Sequence, residues 1–162
     1  MYHVLYMQIV LIAIGRCRQA SFREGAADYA RRIVRYATLE QVEIREARAV
    51  RGMPATEVLR REGARILQAV PQGAFVVVLD PAGRTCTSEA LAARMAELGL
   101  RGRSRMAFVI GGAYGLAPEV VQQADWRLSL SPMTFPHELA RLILLEQIYR
   151  AFTISRGESY HK

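Results

Sequence analysis

Met106-Ala-Phe-Val-Ile110-Gly111-Gly112-Ala113-Tyr114-Gly115 reads as a strand covered on both faces that runs directly into a glycine turn. Five apolar residues without polar alternation suit the interior of a parallel sheet. The same pattern recurs outward along the chain. Upstream, Ala74-Phe-Val-Val-Val-Leu79 is equally apolar and ends in Asp80-Pro81-Ala82-Gly83, the residues of a type I turn. Met7 to Ile14 is a first strand and Gln41 to Ile44 a weaker second. Ser21-Phe-Arg-Glu24 forms a capping box ahead of Phe22, Ala26, Tyr29, Ala30 and Ile33 at helical spacing. Thr56 caps a helix that turns Leu59, Ile66 and Val70 inward. A further helix spans about Ser88 to Leu98, with Leu91, Met95 and Leu98 on one face and Gly99 as its stop. Downstream, Pro118 suits the first turn of a short helix, Asp125 to Ser129 forms a last strand, and Pro136 to Ile154 a long helix. This βα alternation predicts one α/β domain over residues 1–162, a mostly parallel sheet with helices on both faces.

Bulk properties narrow the classes. A chain of 162 residues buries enough surface for one stable core. No apolar run approaches the roughly 20 residues that span a bilayer. The apolar stretch from Val4 to Ile14 lacks the basic start and small-residue end of a secretion signal, so it reads as a buried strand. Cys17 and Cys86 lie far apart without metal-ligand spacing, which points to no metal, a reduced cytoplasmic setting, and two small packing residues. The net charge of +7 favours a polyanionic partner. Lys162 is the only lysine; the arginine bias fits either a GC-rich genome or phosphate-gripping guanidiniums.

Parallel sheets bind ligands outside the carboxyl ends of their strands. Three such ends carry suggestive residues and are expected to meet: Leu79-Asp80, Ile110-Gly111-Gly112, and Leu130-Ser131-Pro132-Met133-Thr134-Phe135. The first strand ends in Gly15-Arg16-Cys17-Arg18, without the G-x-G-x-x-G of a dinucleotide site. Taken alone, the glycines make a tight turn and Met133 and Phe135 read as core. His137, just after Pro136, either caps its helix or faces a ligand. The last helix carries a wide apolar stripe of Leu139, Leu142, Ile143, Leu145, Ile148, Tyr149 and Phe152, broader than one sheet face requires, so self-association is expected. Arg141, Glu146 and Arg150 are expected on its solvated edge. The tail Arg156-Gly-Glu-Ser-Tyr160-His161-Lys162 would ordinarily fray, yet its side chains could stack on a base and hold a phosphate. Arg101-Gly-Arg-Ser-Arg105, with Arg16 and Arg18, reads as solvated loops or as phosphate contacts.

The glycine turn, the Leu130-to-His137 segment, the long helix and the Tyr160-His161-Lys162 ending together resemble the RlmH-type methyltransferases of bacterial large-subunit rRNA, within the SPOUT superfamily. The resemblance runs from about Met7 to the last residue. Met1 to Tyr6 is therefore expected to be an upstream extension or the product of a misplaced start. The resemblance implies a C-terminal trefoil knot and a two-fold homodimer. It also implies S-adenosylmethionine held by Leu79, Asp80, Gly111, Gly112 and Leu130 to Phe135. It places His137 beside the active site and brings the Tyr160-His161 tail toward the pocket, with Arg150 grouped among the catalytic candidates. The implied reaction methylates N3 of a pseudouridine in 23S rRNA of the assembled ribosome. Two alternatives stand beside it: another SPOUT methyltransferase, such as a tRNA 2′-O enzyme, and a non-catalytic RNA-binding factor.

Overall fold

The computed structural model describes residues 6–162, so the expectations for Met1 to Leu5 fall outside the described residues. In chain order the elements are β1 (Met7–Ile14), α1 (Ala20–Ile33), β2 (Ala37–Ile44), α2 (Ala55–Ala69), β3 (Phe75–Arg84), α3 (Ser88–Leu100), β4 (Arg105–Ile110), α4 (Pro118–Gln122), β5 (Trp126–Leu128) and α5 (His137–Ser155). The strands form one parallel sheet in the order β2-β1-β4-β3-β5. Alternation along β1 decides which helix packs where. Ile9, Leu11 and Ala13 join Leu91, Leu144 and Ile148 on one face, under α1, α3 and α5. Val10, Ile12 and Ile14 join Ile66, Ala117 and Val120 on the other, under α2 and α4. The central strand β4 is buried from Met106 to Ile110, which is why its sequence shows no polar alternation.

Local structure departs from the sequence reading at several points. β2 starts four residues earlier than expected, at Ala37. As an edge strand it exposes Thr38, Glu40 and Gln41, and this polar content hides its length. Ser21 and Thr56 lie inside α1 and α2, which begin after Gln19 and Pro54 without a side-chain cap. The two amides just before α1 are held from a distance: Glu138 Oε1, at the start of α5, accepts from Arg18 N, and from Gln19 N at 3.1 Å. These bonds hold the Glu138 carboxyl below its usual range. Tertiary contact thus fixes the chain's entry into α1.

The 80–83 segment is not a free turn between elements. β3 continues to Arg84, and both Leu79 and Arg84 pair with Leu128, so residues 80–83 bulge out between them. Ala82 N donates to Asp80 Oδ1 at 2.9 Å across this bulge. Gly99 does not stop α3. It is buried within the helix, where a side chain would press on Met7 Sδ, and the chain reverses at Gly102 with Arg103 N bonded to Leu98 O at 2.8 Å. Cys86 is exposed in the short link before α3 rather than packed; Cys17 is half-buried.

Candidate active site

The three suggestive strand ends meet. A cavity of about 330 Å³ is lined by Leu79 and Asp80 from β3, Gly111 and Gly112 after β4, and Leu130, Ser131, Met133, Thr134 and Phe135 beyond β5. His137 and Ala140, at the start of α5, close one side, and Pro81, Ile110, Ala113, Gly115 and Leu116 complete the wall. Pro132 is exposed and does not line it. Its size lies in the range of small-molecule sites.

Each wall has a physical cause. At Gly111 a Cβ would stand 2.5 Å from Gly115 O, and at Gly112 2.9 Å from Ile14 Cγ2, so only glycine lets the turn fold against the sheet. Gly115 turns back with φ +83, and its N–H donates to Gly112 O at 3.0 Å. Opposite, the Leu130–Phe135 segment is held by few bonds. Ser129 Oγ donates to Ser131 O at 2.9 Å, and Met133 N to Ser131 Oγ at 3.0 Å. Among the described residues, the amides of Leu130, Ser131, Thr134 and Phe135 donate to no protein group. Unpaired amides beside a cavity are donors for a ligand or water. Met133 is 72% exposed, so the reading of it as core fails; Phe135 is half-buried. Asp80 is neutralised in place, since Arg127 grips Oδ2 at 3.1 and 2.7 Å and holds its carboxyl low.

Arg150, Tyr160 and His161 assemble elsewhere. After α5 the chain reverses at Gly157 (φ +66), and Glu158 N bonds Thr153 O at 2.9 Å, so the tail folds back along the helix instead of fraying. Glu158 accepts from Tyr36 OH at 2.9 and 2.7 Å; that phenol is pushed up to about 12, mainly by burial. Glu146 Oε1 accepts from Arg150 Nε at 3.0 Å, Arg150 Nη2 at 2.5 Å and Tyr160 OH at 3.0 Å. The Tyr160 ring stands edge-on to Tyr149 at 4.8 Å, with the Arg150 guanidinium 4.7 Å over its face. Burial, with the bonds to Tyr29 and Glu146, pushes its phenol far up and keeps it a neutral hydroxyl. Arg150 Nη1 lies 3.1 Å from His161 Nδ1. Arginine can only donate, so Nδ1 accepts and Nε2 carries the proton given to Glu89 Oε1 at 2.8 Å.

The expectation that Arg141, Glu146 and Arg150 form a solvated edge therefore fails. Glu146 and Arg150 are largely covered by the tail. Arg141 is 5% exposed, with Nη1 on Glu43 at 3.0 Å and Nη2 on Gly15 O at 3.0 Å. None of Arg150, Tyr160 and His161 lines the cavity. Glu146 and Arg150 lie six and ten residues beyond Ala140, roughly 9 and 15 Å along the helix axis. The i, i+4 spacing of Glu146 and Arg150 could have announced their pairing; nothing local announces Glu89 or Tyr29. Arg101, Gly102, Arg103 and Arg105 are exposed at the amino-terminal edge of β4, away from the cavity, as solvated loops would be.

A parallel α/β sheet with a small-molecule cavity at its carboxyl ends, walled by a glycine turn and an unpaired loop, defines the class. Residues 7–161 match the family model described as "Predicted SPOUT methyltransferase". The chain is 43% identical to the "Ribosomal RNA large subunit methyltransferase H" of Carboxydothermus hydrogenoformans, over 96% of this chain and all of that one. It is 46% identical to the protein of the same name from Syntrophotalea carbinolica, over 96% and 99%. A crystal structure of a "Probable Methyltransferase" from Bordetella pertussis Tohama I superposes with a TM-score of 0.53 at 14% identity, over 93% and 99%, and supports the fold. This chain belongs to the SPOUT methyltransferase family. That makes it an enzyme that draws on a methyl donor. No helix among the described residues is long and apolar enough to cross a membrane, and no three His, Cys, Asp or Glu side chains converge there as a metal site requires.

Proposed function

We propose that this chain is a cytoplasmic enzyme of one domain that methylates 23S rRNA, moving a methyl group from S-adenosylmethionine to N3 of a pseudouridine on the assembled ribosome. The observation that carries the reading is near-complete similarity to relatives named for large-subunit rRNA methylation, joined to a cavity whose chemistry suits a nucleoside. The unpaired Leu130–Phe135 amides are donors for an adenine edge, and Leu130, Met133 and Phe135 are apolar surface for its face. Gly111 and Gly112 bring backbone close to the ligand. The family's trefoil knot belongs to this reading. It is supported where the chain entering the loop passes the 80–84 bulge, Ser129 N donating to Arg84 O at 2.9 Å and Ser129 Oγ lying 3.2 Å from Pro81 O.

S-adenosylmethionine supplies an already activated methyl on its sulfonium. The protein's work is alignment and exclusion of water, which can account for much of the acceleration. His137 is the imidazole that lines the cavity and is assigned the proton leaving N3. His161 of the same chain stands apart, its Nδ1 already bonded to Arg150.

Dimerisation through α5 belongs to the same proposal. Every residue from His137 to Ile154 is buried or half-buried, although Leu139 and Ile143 are not among the side chains packed against the core. A second copy packed there covers these side chains. From its position along α5, the Tyr160-His161 tail then serves the partner's pocket rather than its own.

The test is methyl transfer from labelled S-adenosylmethionine to ribosomes from a strain lacking this protein, with the product nucleotide mapped by mass spectrometry. One labelled pseudouridine in large-subunit rRNA is expected. Label on tRNA alone, or cofactor binding without any transfer, overturns the reading.

A further inference from the structure

A second cleft, of about 990 Å³, opens at the carboxyl ends of β1 and β2 between the loops that follow them and α2. It is separate from the cofactor cavity, yet Ala113 of the glycine turn lines both. Arg16 and Arg18 approach it from the loop after β1, and Arg45 and Arg48 from the loop after β2. All four are exposed. Among the described residues none of their guanidiniums bonds a carboxylate, whereas the helical Arg31, Arg32, Arg60 and Arg61 are paired within their own helices. Of the carboxylates lining this cleft, Glu43 is engaged by Arg141 at 3.0 Å, and Glu46 and Glu62 leave the four arginines in excess. Free cations are thus gathered on one concave surface. Tyr114, 56% exposed on the glycine turn, adds an aromatic face.

The floor holds the least expected group. Glu62 of α2 is 5% exposed, and its Oε1 accepts from Ala47 N at 3.2 Å. Its Oε2 has no donor among the described residues. It lies 3.4 Å from where a Cβ on Gly112 would stand, and Gly112 lines the cofactor cavity. Glu62 lines the cleft, so a donor for this oxygen comes from a ligand or water there. It stands where cleft and cavity meet.

We propose that this cleft seats the RNA strand carrying the target base, with the four arginines on its phosphates, Tyr114 stacked on a neighbouring base and Glu62 Oε2 accepting a ring N–H of the target. The proposal rests on the functional reading above. Pseudouridine presents two ring N–H groups, N1 and N3, where uridine presents one. With N3 turned to the methyl donor, N1–H is the donor left for a carboxylate, and uridine has only C–H at the corresponding ring position. Glu62 is thereby a residue that selects the substrate. Oligonucleotide stacking on aromatic faces and guanidinium contacts to phosphate are the usual means of holding single-stranded RNA.

The experiment compares the wild type with R45A/R48A and E62Q on ribosomes whose target is either pseudouridine or uridine. Both arginines are exposed, and the amide side chain of E62Q keeps an oxygen for Ala47 N while replacing the free acceptor by a donor. R45A/R48A is expected to raise the KM for ribosomes about tenfold at unchanged S-adenosylmethionine affinity. It should also flatten the log–log salt slope by about 1.4, two contacts at about 0.7 each. E62Q is expected to lose most of the preference for pseudouridine over uridine. Wild-type KM and salt slope in the double variant overturn the cleft as the RNA's seat, and an undiminished preference in E62Q overturns the role of Glu62. If the wild type itself transfers no methyl to ribosomes, the functional reading falls instead.

Discussion

Arg141 and Glu62 are two charged residues that the fold buries in different ways. Arg141 spends two of its donors on Glu43 and on Gly15 O and leaves Nε without a partner. Arg141→Ala leaves the buried Gly15 carbonyl unpaired and is expected to cost about 2 kcal/mol in urea unfolding; a change within experimental error would show the bonds to be dispensable. Glu62 feels burial first, which raises its carboxyl. The Ala47 amide and Arg65 pull it down, and Glu46 pushes it up. A carboxyl raised in the folded state favours folding fully only below its unfolded value near 4.5, and this contribution is lost as pH rises through the folded value. Urea midpoints of the wild type should therefore fall relative to those of Glu62→Gln as pH rises above 4.5. Parallel curves would mean that Glu62 titrates as it does in the unfolded chain.

At the scale of elements, α5 carries the most consequence. It packs between α1 and α3, lends Glu138 to the loop that enters α1, lends His137 to the cavity and receives the tail along its last turns. The reversal at Gly157 makes the last of these geometrically feasible. Gly157→Ala forces a side chain into φ +66 and is expected to cost about 1 kcal/mol. Its effect on turnover should be larger than on thermal stability, because Tyr160 and His161 lose their seats while the core is untouched. Equal stability with full turnover would separate the tail from the activity. Much of this architecture was legible beforehand. The apolar runs of β1, β3 and β4 and the periodicity of α5 announce themselves, because burial on both faces leaves no room for polar residues. The true length of β2, the helix caps and the bulge at 80–83 were not, because each is settled by a neighbour distant in sequence.

For the whole molecule, the separation between cavity and tail leads to a sharp expectation. If the tail serves a second copy's pocket, a tail variant and a pocket variant should complement each other. His161→Ala mixed with Gly112→Val, each inactive alone, is expected to regain up to about a quarter of wild-type methyl transfer after subunit exchange. That is roughly the share of sites joining an intact tail to an intact pocket when half of the dimers are mixed. No recovery, together with a monomer mass by light scattering, would return the tail to its own chain.

The sequence by itself determined the α/β class, the parallel sheet and the three strand ends that meet around one cavity. Strand ends in such a sheet share one edge whatever their separation along the chain, so local pattern sufficed. It also carried the family resemblance, since the glycine turn, the Pro136-His137 start and the Tyr160-His161 ending are short contiguous motifs. Only the tertiary structure decided that Tyr160 and His161 dock on Glu146, Arg150 and Glu89, that Arg141 is buried, and that Glu62 turns an unpaired oxygen toward Gly112. Those outcomes depend on which helices come to lie side by side, and a charged residue on a helix looks the same in sequence whether its neighbour is water or another helix.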